Sequence, residues 1–89
     1  MSEQNNEVRN YALDVPEPIL SITVPEGAEL LSVGELNDHP VLFVFLNMDN
    51  DQTDHYEITI VESNQTFVLT DGASYFGSVG LKHYFIRGI

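Results

Sequence analysis

VLFVFLN, residues 41–47, is the stretch that decides the fold, because all of its side chains except the final asparagine are apolar. Both faces of such an extended segment are apolar, which is typical of a central strand. The segments around it alternate apolar and polar side chains and end in Gly, Pro, Asn or Asp. This period of two, together with many β-branched and aromatic residues, predicts strands along most of the chain.

The same pattern predicts the other strands and the turns between them. These strands are residues 10–15, 19–24, 28–36, 55–62, 66–70, 75–79 and 81–87. Pro25-Glu26-Gly27 and residues 37–40 have the composition of turns. No segment has a sustained helical period, so we predict little or no helix, at most a short turn around residues 71–75. We therefore predict an all-β, mainly antiparallel fold: a small sandwich or partly open barrel of about six to eight short strands.

The length and composition predict one β domain. A chain of 89 residues buries roughly 60% of the surface that its unfolded form exposes, so the core is modest. Residues 1–8 are polar and unpatterned and are predicted to be a disordered arm, which leaves residues 9–89 for the domain. Cysteine is absent, which excludes disulfides and thiolate zinc sites. The start of the chain has no signal-peptide pattern and no apolar run could span a bilayer, so we expect a soluble, cytoplasmic protein.

Charge is the property that departs most from the ordinary. The chain has 14 acidic residues against three Lys or Arg, a net charge of −11. Between Asn10 and Leu81 there is no Lys or Arg at all, while Glu3 and Glu7 are the only acids outside that region. Such a body repels nucleic acid and anionic membrane and attracts metal ions, cationic surfaces and basic proteins.

NMDNDQTDHYE, residues 47–57, is the densest acidic stretch and raises the question of calcium. An EF-hand loop needs Gly at position 6 and Glu at position 12. Counting from Asp49 gives Asp54 and Ile60 at those positions, and counting from Asn47 also fails. We interpret the segment as a polar hairpin loop, with an irregular cation site at Asp49, Asp51 and Asp54 as the alternative.

No motif predicts catalysis, a cofactor or a resident metal. His39, His55 and His83 have no ligand pair at i+2 or i+4, which argues against zinc. GASYFGS, residues 72–78, has the glycine spacing of a phosphate loop but Ser78 where lysine is needed. Its glycines are expected to permit a tight turn or a bulge. Fourteen acids allow many carboxylate pairs and single out none. We therefore predict a protein that is not an enzyme.

Several short motifs resemble those of a known family. They are YALDV (residues 11–15), ITVPEGAELLSV (22–33), HPVLFVFL (39–46), YFGSV (75–79) and LKHYFI (81–86). Together they resemble an uncharacterised family of small phage-encoded β-rich proteins. The acidic NMDNDQTD loop and the short segment before Tyr75 depart from that family's pattern. The resemblance implies a β domain and a phage or prophage setting, and it implies no catalytic residues.

These observations favour a protein that binds another protein. Carboxylates at i and i+2 of a strand lie roughly 6.6–7 Å apart, a spacing comparable with that of nucleic-acid phosphates. The hypothesis is a phage-type inhibitor or nucleic-acid mimic in the bacterial cytoplasm. It would occlude the basic groove of a host defence or DNA- or RNA-processing protein, without binding nucleic acid or membrane itself. The acids assigned to that surface are Glu26, Glu29, Glu35, Asp38, Asp49, Asp51, Asp54, Glu57 and Glu62. The aromatic anchors assigned to it are Tyr56, Tyr75, Phe76 and Tyr84.

Two other classes of protein stay open. One is a structural or assembly module, such as a phage-particle component or homodimer, in which a sheet edge or apolar face associates and acidity serves only solubility. The other is a small-ligand or cation-binding module. The simplest alternative to the inhibitor, assembly and ligand-binding hypotheses is that the acidity serves solubility alone.

Overall fold

The computed structural model describes residues 5–49 and 51–89, which form seven strands and no helix. The strands are β1 (Asn6–Ala12), β2 (Ile19–Pro25), β3 (Glu29–Leu36), β4 (His39–Asn47), β5 (Thr53–Glu62), β6 (Ser74–Val79) and β7 (Lys82–Gly88). They form a first sheet in the order β1-β4-β3 and a second sheet in the order β2-β5-β7-β6. All the pairings are antiparallel. The predicted all-β sandwich is confirmed.

β4 lies at the centre of the first sheet, as its apolar sequence predicts. Leu42, Val44 and Leu46 point towards the second sheet and are fully buried. Phe43 and Phe45 alternate onto the opposite, outer face, where Phe45 remains exposed. The strand is therefore apolar on both faces although the second sheet covers only one of them.

The hydrophobic core lies between the two sheets. Its buried residues come from β2, β4, β5 and β7 and from the segment after β1: Leu13, Ile22, Val24, Leu42, Val44, Leu46, Ile58, Tyr84 and Ile86. β2, β4 and β7 contribute alternate residues, which is why the period of two in the sequence identifies these strands.

The sheets approach closely where β6 passes β3. Gly77 lies opposite Tyr84 at a register shift between Tyr75 and Gly77, so the predicted bulge is present. A β-carbon built on Gly77 would lie 2.7 Å from Cγ2 of Val33. The site therefore requires glycine for space between the sheets rather than for backbone conformation.

The tight turns follow their local sequence. Asn37 and Asp38 both have positive φ, 52° and 65°, as the two central residues of a type I′ hairpin require. Gly27 has φ 82°, and the Ala28 amide donates to the Pro25 carbonyl at 3.1 Å. The turns predicted at residues 25–27 and 37–40 are both present, although β4 already begins at His39.

Two local predictions are wrong. Residues 66–70 form no strand, because Phe67 packs against Phe85 with ring centroids 5.2 Å apart and so covers the outer face of the second sheet. The turn that follows contains no helix, in agreement with the prediction of little or no helix, because Gly72 has φ 84° and the Ala73 amide donates to the Thr70 carbonyl. β1 begins at Asn6 within the predicted disordered arm and ends at Ala12, earlier than predicted. Residues 1–4 of that arm lie outside the described residues.

Within the described residues, no helix has the length and apolar character needed to cross a membrane.

Candidate functional site

The β2–β3 and β4–β5 connections meet at one end of the sandwich. The Glu26 amide donates to the Gln52 carbonyl at 2.9 Å, and the Gly27 amide donates to Asp54 Oδ2 at 3.2 Å. Asp49 accepts hydrogen bonds from the backbone amide and the side-chain amide of Asn5, at 3.1 Å and 3.2 Å. The acids gathered here, which we call the acidic turn end, are Glu26, Glu29, Asp49, Asp51 and Asp54.

The two arginines form ion pairs with Glu7 and Glu57, which do not belong to the acidic turn end. Arg9 Nε lies 2.6 Å from Glu7 Oε2, on exposed β1. Arg87 Nε lies 3.0 Å from Glu57 Oε1, across the β5–β7 pair. The hydrogen bond to Glu57 raises the pKa of Arg87 above its ordinary value, and the bond to Glu7 raises that of Arg9. Lys82 begins β7 at the opposite end of the molecule.

The nine acids predicted to form one surface do not lie together. Glu35, Asp38 and Glu62 lie at the opposite end of the sandwich, and Glu57 lies on the outer face of the second sheet. Only Asp49 and Asp51 are two positions apart, and they lie between β4 and β5 rather than in a strand. The predicted phosphate-like spacing along a strand is therefore absent from this set.

The predicted aromatic anchors divide by face. Tyr84 points between the sheets and is 0% exposed, so its assignment as an exposed anchor is wrong. Tyr56 and Phe76 are partly buried against the core. Tyr75 alone of the four is exposed, on the outer face of the second sheet, where it packs edge-on against Phe85 with ring centroids 5.3 Å apart.

A cavity of about 380 Å³ opens at the end opposite the acidic turns, which we call the cavity end. Its lining includes three carboxylates and one ammonium group, from Asp14, Glu35, Glu62 and Lys82, with Tyr84 beside them. The remaining lining residues are Pro40, Ser63, Val79 and Leu81. Sequence reasoning did not find this site, because its residues come from distant segments with no shared motif.

The Tyr84 hydroxyl is buried and has no hydrogen-bond partner among the described residues. Burial, with a further contribution from the charge of Asp14, raises the pKa of this phenol above its ordinary value. Asp14 Oδ2 also lies 2.7 Å from Nδ1 of the exposed His39. The charge of Asp14 therefore acts on the Tyr84 hydroxyl, although the two groups form no hydrogen bond with each other.

His83 joins the β5–β6 loop to the outer face of the second sheet. Its Nε2 lies 2.8 Å from Ser63 Oγ, and its Nδ1 lies 3.0 Å from the Tyr75 hydroxyl. A second cavity, of about 340 Å³, is lined by these three residues together with Phe67 and Phe85. Both ring nitrogens contact hydroxyls, so no carboxylate orients the imidazole as in a Ser-His-Asp triad. These contacts hold the β5–β6 loop against the second sheet. They do not form the Ser-His-carboxylate chain that activates a serine nucleophile.

Within residues 5–49 and 51–89, no three His, Cys, Asp or Glu side chains are grouped so that they could hold a metal ion. This applies to Asp49, Asp51 and Asp54, the alternative cation site predicted from the sequence.

Comparisons with protein-family models, with curated proteins and with solved structures found no match to this chain.

Proposed function

We propose that this chain is a non-enzymatic binding protein of phage type that acts in the bacterial cytoplasm. Its partner is a nucleic-acid-binding host protein, of the defence or DNA- or RNA-processing class, whose basic groove it occludes. The observation that supports this most is the acidic turn end. There the two connections and the first residues of β3 and β5 together carry five carboxylates. The resemblance of the strand and turn motifs to small phage-encoded proteins supports the setting.

The shape of the acidic turn end suits a groove. Connections at the tip of a sandwich protrude, so their carboxylates can enter a concave surface that normally holds phosphates. The two connections are hydrogen-bonded to each other through Glu26 and Gly27, which limits the ordering entropy lost on binding. A net charge of −11 accelerates the encounter with a cationic partner and makes the complex sensitive to salt.

The proposal is tested by capture from a bacterial lysate. The tagged protein is incubated with nuclease-treated lysate at low and at moderate salt, and retained proteins are identified by mass spectrometry. We expect a nucleic-acid-binding protein that is lost at moderate salt and that double-stranded DNA displaces in competition. A retained partner that still binds DNA while complexed would contradict occlusion of its groove.

A second function, as an assembly module, is favoured by the outer face of the first sheet. In the β1–β4 and β3–β4 registers, Phe45 lies opposite Val8, and Phe43 lies opposite Ser32. Val8, Leu36 and Phe45 are all exposed large apolar residues. Such a face suits association with a second copy. Sedimentation at several concentrations tests it: a salt-stable dimer that Phe45→Ser dissociates supports assembly, and a monomer throughout contradicts it.

A further inference from the structure

The cavity end has the chemistry of a binding site for an organic cation. Asp14 follows β1, and Glu35 and Pro40 lie on β3 and β4 of the first sheet. Glu62 and Lys82 lie on β5 and β7 of the second sheet. Three carboxylates against one ammonium leave an excess of negative charge around the cavity, which opposes anions and favours cations. Lys82 makes no ion pair within 4.0 Å in the described part of the chain, so it does not neutralise the carboxylates by direct contact.

The buried Tyr84 hydroxyl is an independent sign of a ligand. The residue is 0% exposed, it lines the cavity, and its hydroxyl has no partner in the part of the chain that the structure describes. Buried polar groups in proteins are nearly always hydrogen-bonded, because an unpaired one costs folding free energy. A ligand with N–H donors would supply the missing bond.

The size and lining of the cavity indicate the class of cation. A volume of about 380 Å³ is far larger than one metal ion needs, and the described carboxylates are not grouped as metal ligands. Pro40, Val79 and Leu81 provide apolar surface beside the charged groups, which suits an alkyl chain ending in a charged nitrogen.

We propose that this cavity binds an alkylammonium or alkylguanidinium group. The charged nitrogen lies among Asp14, Glu35 and Glu62, the Tyr84 hydroxyl accepts one of its N–H donors, and the alkyl chain packs on Leu81 and Val79. Such a group occurs both in free diamines and in lysine or arginine side chains of proteins. The site is separate from the acidic turn end and does not depend on the function proposed for it.

Calorimetric titration with putrescine tests the site, with 1,4-butanediol as the neutral ligand of the same length. We expect saturable binding of putrescine, none of the diol, and amide shifts in NMR spectra at the cavity end. Nα-acetyl-lysine methylamide and Nα-acetyl-arginine methylamide distinguish the sources. Stronger binding of either amide than of putrescine assigns the site to protein side chains, and the reverse order assigns it to free amines; both support a cation site.

Variants locate the site. Glu35→Gln and Tyr84→Phe should each weaken putrescine binding about tenfold, since each removes an interaction with a charged group. Lys82→Gln should strengthen it, because it removes the competing positive charge. Asp51→Asn, at the acidic turn end, should leave it unchanged.

The proposal is overturned if putrescine does not bind, if the diol binds equally, or if Asp51→Asn weakens binding as much as Glu35→Gln does. Tyr84→Phe removes only the unpaired hydroxyl, so an unfolding temperature that is not lowered shows that weaker binding by this variant does not come from a loss of folding.

Discussion

The two ends of this sandwich are both acidic, but they differ in what surrounds the carboxylates. At the acidic turn end, carboxylates such as Asp49 and Asp51 lie on exposed connections, and within the described residues neither lies within 4.0 Å of a Lys or Arg nitrogen. At the cavity end, Glu35 and Glu62 line an open cavity, and Lys82 and the buried phenol of Tyr84 line it too. The same residue type therefore provides a long-range field at one end and a local binding site at the other. Net charge alone does not distinguish these uses, whereas the position of each carboxylate in the fold does.

One core between the sheets holds the two ends apart, and Gly77→Ala is the substitution expected to disturb that core most. The new β-carbon would meet Cγ2 of Val33, 2.7 Å away, and such overpacking costs about 1–3 kcal/mol. We expect denaturant unfolding to show that loss. Val33→Ala in the same chain should recover part of it, because it removes the methyl group that clashes. A Gly77→Ala protein as stable as the parent would mean that the sheets do not meet at this point.

Tyr84→Phe separates the effect of the hydroxyl on stability from its effect on binding at the cavity end. Removing a buried hydroxyl that has no partner should raise the free energy of unfolding by about 1 kcal/mol near neutral pH. Thermal or denaturant unfolding measures the change, with Tyr75→Phe as the matched control that loses a hydrogen bond to His83. A destabilised Tyr84→Phe protein would show that the hydroxyl is bonded in solution.

The same phenol predicts a pH dependence. Its pKa in the folded protein is raised above the ordinary 10.0, so the unfolded chain releases this proton first as pH rises. The folded state then binds more protons than the unfolded state, and stability falls as pH increases above about 10. Tyr84→Phe should remove that part of the alkaline loss in unfolding curves measured between about pH 8 and about pH 11. Equal alkaline loss in both proteins would contradict the raised pKa.

The smallest expected effect is at Glu57, the acid that belongs to neither end. Glu57 and Arg87 lie directly opposite in the β5–β7 register and are partly shielded from solvent. A double-mutant cycle with Glu57→Gln and Arg87→Met should give a small favourable coupling that decreases with salt. Neither substitution should alter partner capture, because Glu57 and Arg87 already form an ion pair with each other on the outer face of the second sheet. Loss of capture with Glu57→Gln would extend the binding surface to the outer face of the second sheet.

Local sequence predicted the parts of the fold that depend on local geometry. The double-sided apolar run identified β4 as central, and Asn-Asp at residues 37–38 supplied the positive φ values of a hairpin turn. The alternation in LKHYFIR also separated Tyr84 and Ile86 from His83 and Phe85 correctly. It did not indicate which set faces inward, because both sets are largely apolar or aromatic. For this reason the sequence pattern does not show that Tyr84 is buried, and its prediction as an exposed aromatic anchor is wrong.

The parts that failed depend on contacts between distant residues. Phe67 and Leu69 alternate like a strand, but Phe67 packs on Phe85 of another strand, which no local pattern records. The grouping of acids into two ends likewise depends on which connections meet across the sandwich. The cavity is the extreme case, because Asp14, Glu35 and Tyr84 approach only when both sheets are in place.

The most direct test of the central claim, that position rather than net charge determines partner binding, compares two triple variants in the capture experiment. One is Asp49→Asn, Asp51→Asn, Asp54→Asn at the acidic turn end. The other is Glu17→Gln, Asp38→Asn, Asp71→Asn, which removes the same charge from exposed residues that do not belong to the acidic turn end. We predict that quantitative mass spectrometry shows about tenfold less captured nucleic-acid-binding protein with the first variant and little change with the second. Equal loss with both variants, or unchanged capture with the first, would contradict the account.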